Sequence, residues 1–175
     1  MVYKSPFEAY PFLRDPASDL RCDFEILTDK MASATGLLRS LVEDECLREE
    51  LQWVGELIYH ANPTLRTHLS IEKNEIQRLA ALVQSMQEER LALETPFVLP
   101  QGCTAACVAH IVRTMGKEAA RLVYRYIEQG GAAPDELLDI LNLLSGYFFL
   151  LSLKLNVLYG EEEVAYQSRN YGHHG

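Results

Sequence analysis

The chain is short of positive charge and short of cysteine, and each shortage closes off a class of function. Its 175 residues carry 16 Lys and Arg against 25 Asp and Glu, a formal charge of −9. Phosphate neutralisation dominates nucleic-acid affinity, so a chain of this sign is a poor general binder of nucleic acid. A phosphate ligand would need a local cluster of cations. The four cysteines, Cys22, Cys46, Cys103 and Cys107, are too few and too irregular for a secreted disulfide framework. The opening MVYKSPFEAYPFLRDP has no unbroken apolar core of the signal-peptide kind, so a reducing, cytoplasmic setting is expected. Between Leu137 and Leu158 the longest charge-free run, Ile140 to Leu153, falls short of the ~20 residues a membrane-spanning helix needs. The stretch from Leu137 to Leu158 therefore reads as a buried core helix, and no membrane partner is expected. Internal repeats and low-complexity blocks are missing too. No glycine-rich phosphate loop and no nucleophile–base pair appears in the sequence pattern.

What is present is helical periodicity. Pro6, Pro11 and Pro16 break residues 1–20 into an expected extended arm. From about Phe24 to Val42 the positions Ile26, Leu27, Met31, Ala34, Leu37, Leu38 and Leu41 recur at helical spacing. Asp44 caps a second predicted helix that Asn62-Pro63 ends, and a third starts after Ser70. The segment ETPFVLPQG (94–102) is a predicted loop. A fourth helix runs from about Cys103 to Gln129 before Gly130-Gly131, and a fifth from Pro134 at its first turn to Tyr159. Residues 161–175 form a polar tail. The chain is long enough for one domain that buries roughly 70% of its unfolded surface. Five helices and no strand predict an all-α bundle over 21–160. Phe148, Phe149, Leu150 and Leu151 make the fifth helix apolar nearly all round, so other helices or a second subunit must cover it.

Four features bear on chemistry. Arg113, Lys117, Arg121 and Arg125 are spaced by four along the fourth helix and form a slowly winding cationic stripe. It suits a polyphosphate or the acids of a partner helix; a solvated face with i,i+4 pairs is the plainer reading. Cys103, Cys107 and His110 share one helix face, either as soft metal ligands or as small side chains packed in the interior. Gly36, Gly55, Gly116 and Gly146 fall inside helical patterns, through close helix packing or to leave room for a ligand. Asp29 lies on the apolar side of the first helix, where a carboxylate needs a cation, and Arg113 is the expected partner. His60, His68, His173 and His174 show no catalytic arrangement.

The run FVLPQGCTAACVAHIVRT (97–114) resembles the signature of PduO-type ATP:corrinoid adenosyltransferases, which read F-[IV]-L-P-G-G, an Ala-rich turn, then L-H-x-A-R-T and R-R-A-E-R. Phe97, Leu99, Pro100, Gly102, His110, Arg113 and Thr114 fall on the family's positions without gaps. LNLLSGYFFLLSLKLN (141–156) is similar to the family's L-N-R-L-S-D-Y-L-F-x-L-A-R-x-x-N, matching at Leu141, Asn142, Leu144, Ser145, Tyr147, Phe149, Leu151 and Asn156. DKMASATG (29–36) resembles D-E-L-N-x-x-x-G through Asp29 and Gly36. The resemblance implies a homotrimer of five-helix bundles with sites between subunits, moving the 5′-deoxyadenosyl group of ATP onto reduced corrinoid cobalt. It implies cobalamin and ATP with magnesium as ligands, and no protein-held metal. Catalytic roles are implied for Phe97, beside the lower cobalt face, and for Asp29 and Arg113, as an inter-subunit salt bridge. Lys117, Arg121, Ser145, Tyr147 and Asn156 are implied to bind the ligands.

The departures from the pattern are specific. The family's N-terminal T-x-T-G-D-x-G-x-T phosphate loop is replaced by YKSPFEAYPFLRDPASDL (3–20). R-R-A-E-R has become Lys117, Glu118, Ala119, Ala120, Arg121; S-D-Y has become Ser145-Gly146-Tyr147; A-R-x-x-N has become Ser152, Leu153, Lys154, Leu155, Asn156. Ethanolamine-utilisation relatives also lack the glycine-rich loop, but their cysteine-rich metal motif is not visible in this chain. Residues matching the corrinoid side are kept and those matching the ATP side are thinned. Two readings follow: a divergent adenosyltransferase, or a non-catalytic corrinoid-binding or scaffold protein on the same fold.

Overall fold

A computed structural model describes residues 3–91 and 97–169. Its helices are α1 (Leu20–Ser40), α2 (Glu45–Ala61), α3 (Lys73–Leu91), α4 (Thr104–Glu128) and α5 (Asp135–Tyr159). The only extended pairing among the described residues is an isolated antiparallel bridge between Val98 and Ala165. Residues 94–96 of the predicted loop, and His173 and His174, lie outside the described residues. Local chemistry sets the helix ends. Asp44 Oδ1 accepts the Leu47 N–H at 2.7 Å, the N-cap expected of an Asp before an amphipathic run. Gly160, at φ 73°, closes α5 in the left-handed cap conformation. Pro134 stands one residue earlier than expected, at the N-cap of α5 rather than in its first turn.

The packing order is α2, α1, α4, α5, α3, with α4 against α5 the most extensive pair. Phe24, Met31, Leu51, Leu57, Leu79, Ile140, Leu141 and Phe148 are fully buried along that row. Each such side chain contributes roughly 1.5–3 kcal/mol on burial. Helix α5 is long and apolar enough by composition to cross a bilayer, yet most of that length is buried inside the bundle. Its exposed apolar residues, Val157, Leu158 and Tyr159, gather at its last turn. Of the helical glycines, Gly116 is the one pressed by neighbours. A Cβ there would stand 3.4 Å from Met31 Cε and Ser145 Cβ, so this glycine lets α4 approach α1 and α5 closely. Gly36 has open space around it.

The N-terminal arm is not extended. Residues 10–19 form turns, with the N–H groups of Leu13, Asp15 and Asp19 bonded three residues back. Arg66, between α2 and α3, holds the arm down. Its guanidinium lies 3.6 Å over the Phe12 ring and pairs with Asp15 at 3.0 Å and with buried Glu25 of α1 at 2.8 Å. Tyr10 donates its hydroxyl to the same Glu25 at 2.6 Å. The hydrogen bonds that Arg66 donates to Glu25 push the arginine's pKa further up, and burial raises that of Tyr10.

Candidate functional site

The segment that leads into α4 is clamped by one buried amide. Asn156, fully buried near the end of α5, accepts the Cys103 N–H through Oδ1 at 3.0 Å. Its Nδ2 donates to Gln101 O at 3.0 Å and to Glu163 Oε1 at 2.9 Å. Gly102 between them has φ 128°, and a Cβ there would run into the Asn156 amide. The chain beyond α5 returns to the same loop: Leu99 N–H bonds Val164 O at 2.9 Å, and Tyr166 N–H bonds Phe97 O at 2.7 Å. The Phe97 backbone is thereby fixed at the head of α4 while its ring is 74% exposed. A large apolar ring held in water on a fixed backbone is a feature that packing within this chain does not explain.

One and a half turns into α4, at Thr104–Glu128, the polar groups turn inward. His110 is 4% exposed, with Nδ1 3.5 Å from Ser152 Oγ and its ring 6.4 Å from that of Phe149. Burial, with a lesser contribution from the Arg113 charge, pushes its pKa down to about 4. Arg113, half-buried, sets its guanidinium 5.8 Å from the Phe149 ring centre. Burial lowers its pKa too. His110 Nε2 and Arg113 Nε are both buried without a hydrogen-bond partner. Beyond them Lys117, Arg121 and Arg125 lie on the exposed face, so the stripe read from the sequence divides. Its first member folds inward and the other three face solvent.

Asp29 departs from expectation. It is exposed, not on the buried side of α1, and accepts the Tyr59 hydroxyl at 2.6 Å; no contact with Arg113 forms within the chain. The reason is the helix phase. Met31 carries the face of α1 that meets α4, and Asp29, about 200° away on the wheel, faces α2 instead. The hydrogen bond from Tyr59 to Asp29 raises the tyrosine's pKa. Tyr10, Leu13, Glu25, Ile26, Asp29, Tyr59 and Asn62 line a cavity of about 290 Å³ at this place. Neither Asp29 nor Arg113 has an oppositely charged partner among the described residues.

Three residues expected to bind ligand lie inside the bundle with their polar atoms engaged. Ser145 donates to Arg113 O at 3.3 Å. Tyr147 donates to Glu50 at 2.7 Å, and burial raises its pKa. Asn156 is spent on the loop. Within the chain, all three are engaged with neighbouring backbone or side-chain groups. Cys103 is the N-cap of α4, its Sγ accepting from Ala106 N–H at 3.4 Å, while Cys107 donates to Gly102 O. No group of three or more potential metal ligands occurs among the described residues. Tyr59 and Arg66 were not foreseen, because their partners lie 30 and 41 residues away in sequence.

Comparisons with known proteins bear on the family and the fold. A family model described as cobalamin adenosyltransferase matches residues 14–155. No curated protein sequence matches the chain. Among solved structures, an arginine-to-lysine variant of a PduO-type ATP:corrinoid adenosyltransferase from Lactobacillus reuteri, complexed with ATP, superposes with a TM-score of 0.74. It is 22% identical, over 85% of this chain and 88% of that one. A phenylalanine-to-alanine variant from the same organism, complexed with cobalamin and ATP, gives 0.73 at 20% identity over 86% and 87%. A phenylalanine-to-histidine variant, also with both ligands, gives 0.73 at 20% over 86% and 85%. At such identities the likeness establishes a shared fold. The match of the family model across most of the sequence, on the helices just described, places the chain in the cobalamin adenosyltransferase family.

Proposed function

We propose that the protein is an ATP:corrinoid adenosyltransferase working at sites shared between the copies of a homotrimer, in the cytoplasm. The observation that carries this reading is the exposed Phe97 ring on its clamped loop, at the position where the family keeps an aromatic. In the reaction the electron pair of reduced corrinoid cobalt forms a bond to C5′ of ATP. The C5′–O bond breaks, and triphosphate leaves with its electrons. Phe97 is suited to pack against the lower face of the corrin and keep an axial ligand away, which favours the reduced, nucleophilic state. Lys117 and Arg121 offer exposed positive charge to the magnesium-bound triphosphate. Arg113 and Asp29, each lacking an opposite charge in its own chain, are suited to pair between neighbouring copies. Tyr59 orients the carboxylate for that pairing.

The solved relatives support the ATP side. The arginine and phenylalanine altered in them stand as far apart in sequence as Lys117 and Phe97, and the arginine-to-lysine variant is complexed with ATP. Lysine at this place is therefore compatible with nucleotide there, although it gives up bidentate phosphate geometry.

A second reading, a corrinoid-binding protein without transfer activity, has one observation in its favour. The arm that replaces the family's phosphate loop is pinned by Arg66 to Glu25 and Asp15, which limits its freedom to wrap a nucleotide. Subunit mixing tests the shared-site enzyme. Asp29→Asn and Arg113→Ala proteins, each inactive alone, are unfolded and refolded together and assayed anaerobically with cob(I)alamin and ATP. Random assembly should restore about a quarter of the sites, because each site draws one residue from each of two chains. An inactive wild type that still binds cobalamin would favour the second reading. Independent activity of the single variants would rule out the proposed ion pair.

A further inference from the structure

The hydrogen-bond pattern around His110 fixes its tautomer. Ser152 donates its one hydroxyl hydrogen to Phe149 O at 2.6 Å, far shorter than its 3.5 Å separation from His110 Nδ1. In the second contact the serine oxygen is therefore the acceptor and Nδ1–H the donor. The neutral ring then carries its bare lone pair on Nε2, a buried atom with no partner. One helical turn on, Arg113 Nε–H is a buried donor with no partner, and both side chains border the Phe149 ring. Buried polar atoms are nearly always satisfied, and here an acceptor and a donor are left open on neighbouring turns of one helix face.

We propose that His110 Nε2 and Arg113 Nε–H together recognise one neutral ligand group that both donates and accepts a hydrogen bond, a primary carboxamide or a hydroxyl. This rests on the adenosyltransferase reading and names a recognition subsite within it. A phosphate oxygen does not fit, since it has no hydrogen for the Nε2 lone pair. The substrates offer the required chemistry in two places: the carboxamide side chains at the corrin edge and the ribose hydroxyls of ATP. Position along α4 favours the corrin, because His110 stands between Phe97 at the head of the helix and the exposed Lys117 and Arg121 further along. Phe149, half-buried, is the neighbour that moves to admit the group. His110 is thus a specificity-determining residue rather than a filler of the core.

Two substitutions separate this role from packing. His110→Gln loses the ring but can place an amide oxygen near the Nε2 position; His110→Asn reaches only as far as Nδ1. Each protein is titrated with cobalamin by visible absorbance and with ATP by calorimetry, after circular dichroism confirms helical content. The expected result is cobalamin affinity within about threefold of wild type for His110→Gln and weakened about tenfold for His110→Asn, the loss of one buried hydrogen bond. The same split in the ATP titration would assign the group to the ribose hydroxyl. Equal affinities across the three proteins, or equal losses in both variants, would overturn the proposal and leave the imidazole as packing. A split accompanied by a changed oligomeric mass would overturn it in favour of a subunit contact. A wild type that takes neither ligand fails the adenosyltransferase reading, and this subsite with it.

Discussion

Position 102 admits only a residue without a side chain, since its φ is 128° and the Asn156 amide fills the space where a Cβ would stand. Gly102→Ala should cost about 1–3 kcal/mol of stability. It should also loosen the Phe97 loop, read as a lower thermal midpoint together with faster amide exchange at Leu99 and Cys103. His110 makes a different prediction, in pH. Its folded pKa of about 4 lies below the ordinary histidine value, so the unfolded chain binds a proton that the native state refuses. Stability from this residue is present above the unfolded pKa and is lost as pH falls toward 4. Between pH 7 and pH 5 the loss should be about 2 kcal/mol, seen as a fall in urea midpoint that His110→Asn abolishes. An unchanged pH slope in that variant would show that the native imidazole titrates normally. Individual residues were unevenly legible. Phe97 stands exposed at the head of its helix, where a binding residue is useful. The sequence pattern could not tell that Asn156 and Tyr147 turn inward, because burial depends on which helix faces them.

Among the elements, helix ends were the clearest signals, because a cap is written in adjacent residues. Asp44 starts α2 and Gly160 ends α5 as their local chemistry demands. The cationic run on α4 was legible as spacing but not as orientation. Lys117, Arg121 and Arg125 are exposed while Arg113 folds toward Phe149. The arm was the least legible element. Prolines marked it as non-helical, but its docking depends on Arg66, a residue of the α2–α3 connection that reads as an ordinary surface cation. Arg66→Ala should cost about 3–5 kcal/mol, because it strands the Glu25 carboxylate, 5% exposed, without a counter-ion. Limited proteolysis should then cut within residues 3–18 well before it cuts the helices. Resistance equal to wild type would mean that the arm is held by other contacts.

At the scale of the molecule, Asp29 and Arg113 stand apart in the single chain. Asp29 with Tyr59 lies toward α2, and Arg113 with His110 and Phe149 lies between α4 and α5. Among the described residues, no ion pair or hydrogen bond brings the two groups together. The fold and the family were readable from three short motifs in the right order, since the packing row α2, α1, α4, α5, α3 needs only amphipathic helices with well-placed caps. A homotrimer with Asp29 and Arg113 paired between copies was implied only by the family resemblance; composition and spacing could not show that the two charges lack a partner in the chain, which depends on the helix phases. The overall acidity of −9 leaves the exposed cations of α4 as a local exception, which is what a phosphate ligand requires. The most direct test supplies cob(I)alamin and magnesium-ATP to the protein without oxygen and quantifies adenosylcobalamin and inorganic triphosphate together. The account predicts both products in equal amounts from the wild type. For Phe97→Ala, given cob(II)alamin and a reductant so that the lower ligand must first leave, it predicts formation slowed at least about tenfold, about 1.4 kcal/mol in the barrier, with the thermal midpoint unchanged. Cobalamin recovered without an adenosyl group, beside an active control enzyme, would contradict it.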